Sequence, residues 1–97
     1  MKARAIAYKA KIRIIVRKLI LDHLQMNPCV DCGERDPIVL EFDHRGEKKF
    51  NISAAYTVGY SVAAVSAEIA KCDVRCANCH RRKTYKERGF SHRDMPA

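Results

Sequence analysis

Apolar residues recur at spacings of three and four along the first quarter of the chain, which predicts a long amphipathic helix over residues 2–25. The apolar stripe of this helix consists of Ile12, Ile15, Val16, Leu19, Ile20 and Leu24. Asn27-Pro28 ends the pattern, because proline disfavours helical geometry in the residue before it. The chain should therefore turn at Asn27 and deliver Cys29 directly from the end of the helix.

A different pattern, rich in β-branched and apolar residues, predicts a strand at 38–42 that leads into Asp43 and His44. A second short extended piece is expected at 50–53. Side chains alternate along a strand, so Glu41 and Asp43 should face one way and His44 the other. Asp43 and His44 could then share a site only where the strand ends, and we expect His44 at a frayed strand end.

The second half of the chain begins with small, uncharged residues and predicts a loop followed by a helix over 62–72. Cys72 lies on the apolar face of that helix, which favours a buried hydrophobic role for it over a ligand role. A last helix is expected over 79–88, with Gly89 as its stop and 91–97 as a loose tail.

Two Cys-x-x-Cys pairs, Cys29/Cys32 and Cys76/Cys79, change this picture because four thiols satisfy a tetrahedral Zn²⁺ ion. The odd total of five cysteines, with no signal peptide ahead of them, favours thiolate ligation over disulfides and predicts a reducing, cytoplasmic location. A chain of 97 residues supports a single domain with a modest core, which a structural zinc would stabilise.

Charge is distributed unevenly along the chain, which has a net charge of +8. Residues 1–27 carry +6 and residues 79–97 carry +4, whereas residues 28–78 carry −2. Basic flanks attract a phosphate backbone, and carboxylates in the centre suit a divalent cation. Charged residues interrupt the only long apolar stretch, so we expect a soluble protein with no membrane partner.

Three segments resemble the HNH endonucleases, specifically the four-cysteine zinc-knuckle subgroup similar to recombination endonuclease VII. They are Cys-Val-Asp-Cys-Gly at 29–33, Leu-Glu-Phe-Asp-His at 40–44 and Cys-Ala-Asn-Cys-His-Arg-Arg-Lys-Thr at 76–84. The resemblance implies an α+β fold with a small ββα-metal core stapled by the four-cysteine zinc, preceded by the long amphipathic helix. The single domain, 1–97, would comprise a basic helix (1–27), the nuclease core (28–88) and a tail (89–97).

The resemblance also implies a role for each site residue. His44 would be the general base, and Asp43 and His80 would hold the catalytic cation. The reaction would be hydrolysis of DNA phosphodiester bonds, leaving 5′-phosphate and 3′-hydroxyl ends. A carboxylate and an imidazole accept Mg²⁺, Mn²⁺, Ni²⁺ or Co²⁺, and availability favours Mg²⁺ or Mn²⁺.

One position departs from the family pattern. The central asparagine of many members falls here on Lys71. Asn78 is the nearest substitute, although a turn residue in the left-handed conformation is the simpler interpretation of it. Asn51 is a weaker substitute.

Basic residues of the last helix are the candidate DNA contacts. Lys83 would lie one helical turn from His80, and Arg81, Arg82 and Lys86 would spread along the phosphate backbone. The substrate would be double-stranded or branched DNA, and the N-terminal helix is the candidate for pairing two chains into a homodimer. The alternative function is a non-catalytic zinc module that binds DNA, which would need the four thiols but not the trio of Asp43, His44 and His80.

Overall fold

The computed structural model describes the backbone of residues 2–89 and the side chains from residue 7 onward, so the predicted tail at 91–97 lies outside the described part. The fold is α+β. Its elements are α1 (Lys2–Met26), β1 (Leu40–His44), α2 (Ala55–Val58), α3 (Val62–Ile69), β2 (Cys72–Cys76) and α4 (Ala77–Glu87). Within residues 2–89, no helix combines the length and the apolar character that crossing a membrane requires.

Helix α1 forms where it was predicted and packs on α2 and α3. Its buried residues are Val16, Ile20 and Leu24, which repeat at a spacing of four and so lie on one face. Ile15 was assigned to this face but is largely exposed, because the centre of the buried stripe runs through Val16. The helix thus covers one side of a small core.

The two strands form an antiparallel ladder in which Leu40 pairs with Cys76, Asp43 with Asp73 and His44 with Cys72. The predicted extended piece at 50–53 is wrong, because residues Ile52–Ala54 form a 3₁₀ turn whose Ile52 is buried in the core. The second strand comes from Cys72–Cys76 instead. Pairing with a strand 32 positions away is a tertiary choice that local patterns do not encode.

The segment before the second cysteine pair therefore differs from the prediction. Helix α3 ends at Ile69, and Cys72 begins β2 rather than ending a helix. Alternate residues of β2 are buried, as expected for a strand with one face on the core. Cys72 is nevertheless buried, as predicted.

Helix α4 follows β2 without a loop and contacts both strands. Cys76 caps its start, with Sγ accepting a hydrogen bond from the Cys79 backbone N–H at 3.4 Å. The helix ends near Gly89, whose φ of 82° is favourable for glycine alone. An antiparallel strand pair followed at once by a helix thus carries the second cysteine pair at the strand–helix junction.

Candidate metal centres

The four paired cysteines converge at one point between the end of α1 and the junction of β2 with α4. Cys29 and Cys32 lie in a tight turn in which the Gly33 N–H donates to the Cys29 carbonyl, and Gly33 takes a φ of 79°. The Val30 N–H donates to the Val74 carbonyl, which ties this turn to β2. The predicted ligand set is therefore assembled by a backbone turn on one side and a helix start on the other.

The spacing of the sulfur atoms fits a tetrahedral zinc. All four Sγ atoms lie within 4.8 Å of one another, and Cys32 Sγ is 3.7 Å from Cys76 Sγ. Zn–S bonds of about 2.3 Å place the sulfurs of a tetrahedral site about 3.8 Å apart. The cysteine cluster could therefore hold a structural zinc ion with little movement.

Proton affinities in the cluster differ strongly because the four sulfurs interact with one another. Burial works to raise the pKa of Cys29, but backbone hydrogen bonds outweigh it and lower the pKa to about 6. Hydrogen bonding to Cys76 and burial raise the pKa of Cys79 to about 12. Four thiolates cannot coexist this closely unless a cation compensates their charge, and a bound zinc ion would supply that compensation.

A second group of chemically active side chains lies where β1 faces α4. His80 Nε2 is 3.5 Å from Asp43 Oδ1, and Asp43 is buried. Adjacent ligands of an octahedral cation with bonds of about 2.1 Å lie about 3.0 Å apart. Asp43 and His80, the two residues predicted to share a cation, are thus placed so that a small adjustment would allow it.

Glu41 fixes the orientation of the His80 ring. Its Oε1 lies 2.9 Å from His80 Nδ1, and a carboxylate can only accept a hydrogen bond. The proton of a neutral His80 ring therefore resides on Nδ1, which leaves the lone pair of Nε2 directed toward Asp43. This carboxylate–histidine arrangement is the one that commonly supports a metal-binding imidazole.

Two cationic side chains form ion pairs with the Asp43 carboxylate. Arg75 and Lys83 both donate to Oδ2, at 2.6 and 2.7 Å, so Oδ1 alone faces His80. Burial works against ionisation of Asp43, but the hydrogen bonds from Lys83 and Arg75 prevail and hold its pKa below the ordinary value. Asp43 is therefore an anion at neutral pH, with one oxygen available.

His44 lies apart from this group. As expected from strand alternation, it points away from Asp43, and its Nε2 lies 2.8 Å from Oε2 of Glu68. Its side chain is 9% exposed. The strand end is not frayed, because the Arg45 N–H continues the ladder by donating to the Lys71 carbonyl.

The three candidates for the central asparagine position do not contact Asp43 or His80 by any hydrogen bond among the described residues. Lys71 pairs with Glu68, and Asn51 precedes the 3₁₀ turn without a side-chain cap. Asn78 lies in the first turn of α4 rather than in a left-handed turn, since only glycines take positive φ within residues 2–89. Asn78 does line a shallow groove beside His80.

The predicted phosphate contacts lie on α4, next to this site. Three of them, Arg81, Arg82 and Lys86, are exposed. Lys83 instead forms ion pairs with both Asp43 and Glu87. Arg81 lines the same shallow groove as His80 and Glu41. A basic helix face thus borders the Asp43–His80 pair.

Sequence reasoning missed two carboxylates, Glu41 and Glu68. Glu41 could have been found, because it lies two residues before Asp43 in a strand and must share its face. Glu68 is the only charged residue between 53 and 70, an isolated carboxylate in an apolar segment. Such isolation is a usable signal for a buried, partnered acid.

Comparisons of the chain with protein families, with curated proteins and with solved structures gave no match. The geometry of the two centres is therefore the basis for inferring what the chain does.

Proposed function

We propose that the chain is a metal-dependent endonuclease of the HNH type that hydrolyses DNA phosphodiester bonds. The observation that carries the proposal is the Asp43–His80 pair, 3.5 Å apart, with Glu41 directing the His80 lone pair into the site. A purely structural zinc module has no need for such a pair. The β1–β2 ladder followed by α4 is also the arrangement expected of a ββα-metal core.

In this proposal Asp43 Oδ1 and His80 Nε2 hold a divalent cation, Mg²⁺ or Mn²⁺. When bound, the cation would stabilise negative charge on the phosphate and on the departing 3′ oxygen. Lys83 lies on α4 within reach of the same region and can exchange its contact with Asp43 for one with a phosphate. The exposed arginines of α4 would hold the neighbouring backbone phosphates.

His44 is the general base of the proposal. Its Nε2 is engaged by Glu68, so the atom that would take the proton from water is Nδ1. The cation ligands would then lie on the side of β1 that faces α4, and the base would lie on the opposite side. The attacking water would have to reach Nδ1 at the end of β1, where Arg45 and Gly46 are exposed.

One observation favours the second candidate, a zinc module that binds DNA without cutting it. His44 is nearly buried and paired with Glu68, which is also what a structural ion pair would look like. The basic face of α4 would serve such a module equally well. The two functions differ in one outcome, which is strand cleavage.

The test is nicking of supercoiled plasmid by the zinc-loaded protein with Mg²⁺ or Mn²⁺, compared with the protein dialysed into metal-free buffer. We expect nicking that falls at least about 100-fold in Asp43→Asn, His80→Ala and His44→Ala. Asp73→Ala is the matched control, because Asp73 lies opposite Asp43 in the ladder but its shorter contact, 2.9 Å, is with Arg45, and its contact with Arg75 is 3.4 Å long. Binding of DNA without nicking in either metal would reject the nuclease in favour of the binding module.

A further inference from the structure

Glu68 is the most deeply buried charged side chain among those described, with 1% of its surface exposed. Three donors surround its carboxylate. Lys71 Nζ lies 2.8 Å from Oε1, while the Lys49 backbone N–H and His44 Nε2 lie 2.9 and 2.8 Å from Oε2. A buried acid with three donors is fully ionised and fixed in place.

The charge of Glu68 is balanced without help from His44. The hydrogen bond from Lys71 is the largest cause that lowers the pKa of Glu68, to about 2, against the opposing effect of burial. Lys71 supplies one positive charge for one negative charge. A neutral His44 ring is therefore compatible with the Glu68–Lys71 ion pair. The proton of that neutral ring must lie on Nε2, because the Glu68 carboxylate can only accept a hydrogen bond.

We propose that Glu68 is a positioning residue of the hydrolytic site, holding the His44 ring in the tautomer whose Nδ1 is unprotonated and can accept a proton from water. The proposal rests on the nuclease function above. A base must present a lone pair rather than an N–H to the water that it activates, and a partner on the opposite ring nitrogen determines which is presented. Glu68 acts through His44 and touches neither the phosphate nor the cation.

A structural role alone would predict a different pattern of effects. If Glu68 only stabilised the fold, Glu68→Gln would lower activity only as far as it lowers stability. If Glu68 sets the tautomer, Lys71→Arg, which keeps the positive charge beside Glu68, should leave the His44 contact in place. Glu68→Gln should disturb that contact, because a glutamine amide can donate as well as accept. The two variants thus separate stability from positioning.

The first measurement is the tautomer of His44 in the zinc-loaded, DNA-free protein, read from long-range ¹H–¹⁵N correlations of the imidazole ring. We expect the Nε2–H form in the wild type and in Lys71→Arg, and a mixture or the Nδ1–H form in Glu68→Gln. The wild-type readout depends neither on activity nor on the folding of a variant. An Nδ1–H form in the wild type would overturn the proposal by itself.

The second measurement is plasmid nicking by the same proteins, after circular dichroism and zinc content confirm folding. We expect Glu68→Gln to lose about 100-fold or more in kcat with an unchanged KM for DNA, and Lys71→Arg to stay within about threefold of the wild type. Wild-type kcat in Glu68→Gln, with His44→Ala inactive, would overturn the role of Glu68 while leaving the nuclease intact. No nicking by the wild type would instead overturn the nuclease and the catalytic role of Glu68 together.

Discussion

Serine substitutions of the two cysteines at the ends of β2 form a matched pair that tests for a structural zinc ion. Cys72 and Cys76 are both buried, with 8% and 6% of their surface exposed, and both lie on the same face of the strand. Only Cys76 belongs to the four-sulfur cluster. Serine at position 76 can still cap α4, because its hydroxyl accepts a hydrogen bond as the sulfur does. A difference between Cys76→Ser and Cys72→Ser therefore reports on zinc and not on capping or burial.

The expected magnitudes differ clearly. Structural zinc contributes about 10–16 kcal/mol in small domains, so one of four thiolates accounts for roughly 3 kcal/mol or more if the share is even. Cys72→Ser replaces a buried sulfur that donates to the Glu68 carbonyl at 3.4 Å, and a hydroxyl can make the same bond, so we expect about 1 kcal/mol. A domain of this size has about 5–15 kcal/mol in total. Cys76→Ser should therefore lose between about a fifth and three fifths of that stability, against less than about a fifth for Cys72→Ser.

Zinc content by elemental analysis and thermal unfolding by circular dichroism provide the assay. We expect about one zinc per chain in the wild type and in Cys72→Ser, and a melting temperature lower by at least about 12 °C, or no transition at all, in Cys76→Ser. A Cys76→Ser protein that is free of zinc and melts like the wild type would refute the structural role of the cluster.

Three further outcomes test the rest of the site. Glu41→Ala should weaken Mn²⁺ binding about 10-fold by titration calorimetry, because it frees the His80 ring, and unchanged affinity would show that Glu41 does not orient it. Lys83→Met should strengthen Mn²⁺ binding several-fold, since it removes a cation that competes for Asp43, while nicking falls; weaker Mn²⁺ binding would contradict this. Burial raises the pKa of Cys72 to about 11, so at pH 8 about 0.1% of it is thiolate, and a disulfide reagent should modify it only after unfolding. Rapid modification of the native, zinc-loaded protein at Cys72, absent in Cys72→Ser, would contradict its burial.

The sequence predicted well wherever spacing alone sets geometry. The paired cysteines identified the four-sulfur cluster, because two residues between cysteines suit one tight turn on a metal. Strand alternation correctly separated Asp43 from His44. The pairing of His80 with Asp43 was implied by the family resemblance, and the two side chains do lie 3.5 Å apart.

What the sequence did not predict depends on contacts between distant segments. The strand partner of β1 was misplaced because Cys72 was assigned to the end of a helix, whereas Cys72–Cys76 alternates apolar and polar residues and pairs with β1. The partners of the two histidines, Glu41 and Glu68, lie 39 and 24 residues away from them. Local patterns can mark both carboxylates as candidates, but only packing pairs them with the two histidines.

The register of the β1–β2 ladder makes the spacing of residues within β1 more critical than their identity. Removing a single residue between Leu40 and Asp43 would rotate every later side chain to the opposite side, so that His44 would face α4 and Asp43 would face the buried Glu68. Conservative exchanges at these positions would alter affinities, whereas a one-codon deletion would exchange the positions of the proposed cation ligand and the proposed base. The exposed loop at 46–48 carries no such parity, so an insertion there should be tolerated as long as Glu68 still reaches His44.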